Sequence, residues 1–115
     1  MKRGEYDLVR LEHIKTATDF ILKYTKGYDQ DLFLRDELLK FAVLKQLEII
    51  GEVANYLGKE LTTKYDHIDW GMIISGRNYY VHVYFSLDWT LIWETVEKYI
   101  LKFSIEIDKI INDIN

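Results

Sequence analysis

Residues 31–57 read DLFLRDELLKFAVLKQLEIIGEVANYL, and the spacing of their apolar side chains decides the fold. Leu39, Ala42, Val43, Leu47, Ile50, Val53, Ala54 and Leu57 recur at steps of one, three and four. That spacing lines one face of a helix with 3.6 residues per turn. The same period holds on either side. Residues 5–26 place Leu8, Leu11, Ile14, Thr18, Ile21 and Leu22 on one face, and Gly27 supplies a C-terminal stop. Residues 88–113 carry Ile92, Val96, Tyr99, Phe103, Ile107, Ile110 and Ile114 in a third stripe, with Ser86 or Asp88 placed to cap its start. A fourth segment, 69–84, follows the polar connection GKELTTKYDH. The chain has no proline and only six glycines, so little interrupts these helices. Four helices joined by short connections predict an all-α antiparallel bundle without strands.

The composition limits what such a bundle can do. A chain of 115 residues, 49% of them hydrophobic, reads as a single domain over 1–115 with a sizeable core. It contains no cysteine, which removes disulfides, thiolate nucleophiles and cysteine-ligated zinc. His13 and His67 stand without partners at metal-ligand spacing, so no metal and no cofactor are expected. No apolar run approaches the roughly 18 residues of a membrane span, and the start MKRGEYDLVRLEH lacks the apolar stretch of a secretion signal. A soluble, cytoplasmic protein without a membrane partner is the expectation. The formal charge of −4 argues against coating nucleic acid indiscriminately, since that mode relies on many cationic contacts to phosphate. A small local site for RNA stays open.

One stretch is not explained by packing. GRNYYVHVYF, residues 76–85, sets an arginine, an asparagine and a histidine among aromatic and branched apolar side chains. The chain has eleven lysines and four arginines, and Arg77 is the only permanent cation between Lys64 and Lys98. On an ideal helix Arg77 and Tyr84 share a face two turns apart, whereas His82 points about 140° away from Arg77. His82 stacks with Asn78, four residues earlier, so Asn78 can orient the imidazole or touch the same ligand. For Arg77 and His82 to converge, either the helix must break near Val81 or a second copy must bring its own motif across a two-fold axis.

A structural reading competes with this one. A lone histidine on an apolar helix is commonly a satisfied packing residue, and a lone arginine commonly pairs with a carboxylate, here Glu52, Asp69 or Asp88. Trp70, Tyr79, Tyr80, Phe85, Trp89 and Trp93 fit a core or an interface better than a base-stacking platform. Gly51, in GEVANYLG, lacks a phosphate-cradling glycine pattern and reads as a close helix contact.

The residues RNYYVHVY match RxxxxHxY, and the match extends in both directions. FAVLKQLEIIGEVANYL at 41–57 and DHIDWGMIISGRNYYVHVYFSLDWTLIWETV at 66–96 together resemble the HepT-like branch of the HEPN superfamily over most of the chain. The ordered set GEVA, IDW, RNxxxHxYF and DxxxIW carries the likeness, although the proline that often precedes the family's tryptophan is missing. The resemblance implies a homodimeric HEPN bundle of four to five helices, with two motifs facing each other across a cleft. It also implies a metal-independent ribonuclease toxin beside a minimal nucleotidyltransferase antitoxin. Arg77 and His82 would be catalytic and Asn78 and Tyr84 supporting, with Tyr84 as the acceptor of AMP from that partner.

The residue chemistry is compatible with that implication. Histidine exchanges protons at neutral pH, as activating a ribose 2′-OH or protonating a leaving 5′-oxygen requires. Arginine offers fixed bidentate donors to a phosphorane and keeps its own proton. Two function classes stay open: an RNA endonuclease toxin, and a catalytically silent HEPN module that serves as partner subunit of a nucleotidyltransferase.

Overall fold

The computed structural model describes the backbone of residues 3–115 and the side chains of residues 6–83 and 85–115. Helix α1 spans Arg3–Thr25, α2 Gln30–Arg35, α3 Glu37–Ala54, α4 Lys59–Lys64, α5 Trp70–His82, α6 Trp89–Thr95 and α7 Leu101–Ile114. A π turn, Val96–Ile100, joins α6 to α7 without a gap, and a 3-10 turn, Tyr84–Ser86, follows α5. No strand occurs among the described residues. The fold is the all-α HEPN-type bundle that the periodicity and the resemblance predict. Among the described residues no helix is long and apolar enough to cross a membrane.

Helix α1 packs against α3 and α7, and α3 in turn carries α5 on its other flank. Leu11, Ile14 and Ile21 of α1 meet Val43, Leu47 and Ile50 of α3 and Ile107 and Ile110 of α7 in one continuous core, all of them buried. The short α2 closes one end. Its Phe33 is fully buried, with its ring centroid 5.1 Å from that of Trp93 and 6.4 Å from that of Trp89. Gly27, at φ +81°, ends α1 in the left-handed conformation that glycine adopts without strain, where the sequence places a stop.

Three local departures from the simple helical reading have physical causes. The segment expected over 31–57 divides at Asp36, whose carboxylate accepts the Leu39 N–H at 3.0 Å and caps a new helix. A side chain that satisfies an orphan N–H there stabilises a restart better than it would a continuous helix. The polar connection after residue 57 forms the short α4, anchored by Leu61. In the last segment Ile92, Val96, Ile107 and Ile110 are buried as expected, but Tyr99 and Ile114 are exposed. The π turn widens one helical turn by a residue, so the buried face passes through Ile100 and Ser104 in place of Tyr99.

Candidate active site

The site is built on α5. The Asp69 carboxylate caps the helix by accepting the Met72 N–H at 3.0 Å, and Trp70 is buried, with its indole N–H donating to the Tyr65 carbonyl at 3.1 Å. One end of α5 is thereby fixed in the core. The other end leaves it. Val81, His82 and Val83 are exposed, and Phe85 just beyond is 88% exposed. Exposed apolar side chains therefore flank the polar residues of the motif.

Arg77 sits where α3 and α5 come closest. Gly51 makes that approach possible, since a Cβ on it would lie 2.5 Å from the Arg77 Cβ and 3.0 Å from the Ile73 carbonyl oxygen. The glycine is the close helix contact anticipated from the sequence. The next residue, Glu52, then forms an ion pair with Arg77, its carboxylate oxygen 2.8 Å from Nε, and Arg77 Nη1 donates to the Asn78 Oδ1 at 3.3 Å. Glu52 is among the carboxylates that the structural reading nominates. The pair is open, however: its side chains are 36% and 49% exposed, and such pairs contribute about 0.2–1 kcal/mol. The bond orients a guanidinium at the surface and adds little to the core.

His82 is exposed and takes part in no hydrogen bond or ion pair among the described residues. The imidazole is not a satisfied packing histidine. Asn78 is committed to Arg77 and makes no hydrogen bond to His82. Of the two routes to convergence, the break near Val81 is absent, because α5 runs unbroken to His82 and is capped by Val83. Within one protomer Arg77 and His82 therefore stay on different faces, and the break is eliminated as a means of bringing them together. The end of α5 also changes the expectation for Tyr84, whose backbone starts the 3-10 turn, so an ideal helix cannot place it on Arg77's face. The side chain of Tyr84 lies outside the described residues. Tyr79 accepts the Asp88 N–H at 3.0 Å through its hydroxyl, and burial, with a smaller contribution from Tyr79, pushes the Tyr80 phenol above its ordinary range.

At the far end of α5 a hollow of about 580 Å³ is lined by Lys59, His67 and Asp69 among others. There the His67 Nε2 lies 2.9 Å from a Glu106 oxygen, and Asp66 and Asp69 make the lining acidic, which suits neither a free proton carrier nor a phosphate. Among the described residues no group of three or more histidine, cysteine, aspartate or glutamate side chains could hold a metal ion.

A family model described as ribonuclease HepT-like matches residues 14–110, which include both flanks of the Arg77–His82 motif. The chain belongs to the ribonuclease HepT-like family. It is 34% identical to "Putative RNase MJ0125" of Methanocaldococcus jannaschii, across 90% of each chain. It is 34% identical to "Putative RNase TTE0752" of Caldanaerobacter subterraneus subsp. tengcongensis, covering 88% of this chain and 90% of that one. "Probable ribonuclease HepT" of Thermococcus cleftensis is 33% identical over 85% of this chain and 87% of its own. No solved structure matches significantly. In this HepT-like chain, sequence reasoning nominated Arg77, His82, Asn78 and Tyr84. It proposed Glu52 as one of three possible carboxylates and missed the surroundings of Glu52 on α1.

Proposed function

We propose that this HepT-like protein is a metal-independent RNA endonuclease whose active site is completed by a second copy of the chain. The observation that carries the reading is the asymmetry of α5. Arg77 is paired with Glu52 on one face, while His82 stands exposed on another, with no hydrogen bond or ion pair among the described residues, beside the exposed Val81, Val83 and Phe85. A two-fold axis through that surface would bury the apolar side chains and bring two Arg77–His82 sets into one cleft.

The chemistry then needs no further group. His82 of one copy takes the proton from a ribose 2′-OH, and the freed oxygen attacks the adjacent phosphorus. The P–O5′ bond breaks, and His82 of the second copy gives its proton to the departing 5′-oxygen. The products are a 2′,3′-cyclic phosphate and a 5′-hydroxyl. The two Arg77 guanidiniums face the charge that accumulates on the phosphorane oxygens. Purified protein incubated with mixed RNA should give cyclic-phosphate ends equally with and without EDTA, and should scatter light as a dimer. A stable monomer with full nuclease activity would defeat the shared cleft.

The same reading makes the protein the toxin of a pair whose antitoxin is a minimal nucleotidyltransferase. The partner would inactivate it by letting the Tyr84 phenol attack the α-phosphorus of ATP, with release of pyrophosphate. The sequence position of Tyr84 supports this, and of its neighbours the Tyr79 hydroxyl is already engaged with the Asp88 N–H. An AMP phosphodiester two residues after His82 would add negative charge that repels RNA phosphate from the motif. Peptide mass spectrometry after incubation with the partner and ATP tests the site, since an adduct confined to Tyr79 or Tyr80 refutes it. The second reading, a silent partner subunit of the nucleotidyltransferase, draws on the net charge of −4, which a protein tolerates better than RNA does.

A further inference from the structure

Helix α1 and the end of α3 enclose a groove of about 360 Å³, lined by Tyr6, Arg10, His13, Glu52 and Tyr56 among others. That volume lies in the range of roughly 300–1,000 Å³ typical of small-ligand sites. The Arg10 guanidinium lies over two rings, 5.5 Å from the Tyr6 centroid and 5.9 Å from the Tyr56 centroid. Both tyrosines are well exposed, at 46% and 59%. The arrangement is braced from below by Asp7, a buried residue whose carboxylate accepts the Gly58 N–H at 3.0 Å and lies 3.9 Å from Arg10. One carboxylate therefore ties the turn that carries Tyr56 to α1 and steers Arg10.

We propose that this groove is a subsite for single-stranded RNA, holding the nucleobase next to the scissile phosphate against Tyr56, with Arg10 on that nucleotide's own phosphate. The proposal rests on the ribonuclease reading of Arg77 and His82 and extends it. Three features favour RNA as the occupant. Glu52 lines the groove and also bonds Arg77, so the groove and the catalytic guanidinium are contiguous. Two of the chain's four arginines stand at this one junction in a protein that otherwise uses lysine, and arginine is the cation that stacks on rings and forks onto phosphate. Exposed aromatic faces beside a cation form the platform on which unpaired bases stack in any sequence. That tolerance fits a site without visible base-reading donors. A chain of net charge −4 would gain its hold on RNA from such a local site and not from a general field.

The test uses the full-length protein and a single-stranded RNA octamer carrying 2-aminopurine beside the cleaved bond. In the His82→Ala background, binding should quench the 2-aminopurine by stacking. Tyr56→Ala and Arg10→Gln should each remove most of that quenching and weaken octamer binding about tenfold. Tyr56→Phe, which keeps the ring, should restore the quenching that alanine loses. With His82 intact, Tyr56→Ala should raise KM about tenfold with a smaller change in kcat. Unchanged quenching and KM in both Tyr56→Ala and Arg10→Gln would overturn the proposal, whatever they do to melting. So would variants that bind RNA normally and lose only the nucleotidyltransferase complex, because the groove would then serve the protein partner. Failure of the ribonuclease reading looks different: wild-type protein would leave RNA uncut, while the binding arm still reports on the groove.

Discussion

The junction of α1, α3 and α7 and the last turn of α5 are built from similar residue types and treat them in opposite ways. At the junction, apolar side chains close on one another, and even polar ones are satisfied: the Thr18 hydroxyl donates to the Lys15 carbonyl at 2.7 Å, and Lys15 Nζ donates to the Ser104 Oγ at 2.7 Å. At the end of α5, Val81, Val83 and Phe85 are left bare and His82 has no hydrogen bond or ion pair among the described residues. Twenty-two hydrophobic residues are buried elsewhere among the described residues, so these three are not exposed for want of a core. The difference is the one that the proposed two-fold contact at the end of α5 requires, since that end contributes little to the core of the protomer.

Substitutions should separate the two regions most clearly when activity and stability are measured together. His82→Ala and Arg77→Ala are each expected to lower RNA cleavage by about 10²–10⁴-fold, the usual loss on removing a general acid–base group or a charge-stabilising donor. Their urea midpoints should barely move, because an open ion pair contributes about 0.2–1 kcal/mol and an unpartnered imidazole less. Phe33→Ala should do the reverse. Its fully buried ring packs on Trp93, and its loss should lower stability by about 3–5 kcal/mol with residual activity tracking the folded fraction. If Arg77→Ala unfolded the protein as Phe33→Ala does, the contrast between the regions would collapse and Arg77 would become a packing residue.

Gly51 lies at the boundary and should show both effects at reduced size. An alanine Cβ there would come within 2.5 Å of the Arg77 Cβ, so α3 and α5 must separate. Overpacking of this kind costs about 1–3 kcal/mol. The shift also moves Glu52 relative to Arg77, so cleavage should fall further than stability alone explains. Full activity per folded molecule in Gly51→Ala would show that the Glu52–Arg77 geometry is not needed for catalysis.

What the sequence shows and what it conceals divide along the same line. The helical stripes of α1 and α3 are legible, because a buried face repeats every three or four residues whatever it packs against. The phase of the last segment is not, because a π turn is a property of the backbone that adds one residue to a turn and leaves the apolar residues of either flank in their usual spacing. Arg77 and His82 stand out by residue type alone. Glu52 could be nominated only as one carboxylate among three, since its choice depends on where Gly51 lets two helices touch. Arg10, Tyr6 and Tyr56 are invisible for a similar reason. They come from α1 and from the turn after α3, and the packing of those two helices, with the Asp7 carboxylate bonded to Gly58 fifty-one positions away, brings them together.

The smallest expected effect lies at the closed end of the bundle, where Asp36 begins α3. The Leu39 N–H and the Tyr28 O–H, at 3.0 and 2.8 Å, both donate to its carboxylate and hold it below the usual carboxylate range, with the backbone donor contributing most. The phenol of Tyr28 moves the opposite way, upward, because ionising it would cost the bond to Asp36. A carboxyl with a folded value below its unfolded one binds more protons when the chain unfolds. Its contribution to stability is therefore complete above the unfolded value, near pH 4, and is lost as the pH falls through the lowered one. Thermal melts of the wild type should decline as the solution is acidified below about pH 4. Asp36→Asn keeps a cap oxygen for Leu39 but cannot titrate, so its melting temperature should start lower at neutral pH and converge on the wild type in acid. Parallel curves over that interval would mean that the Asp36 cap carries no proton-linked stability.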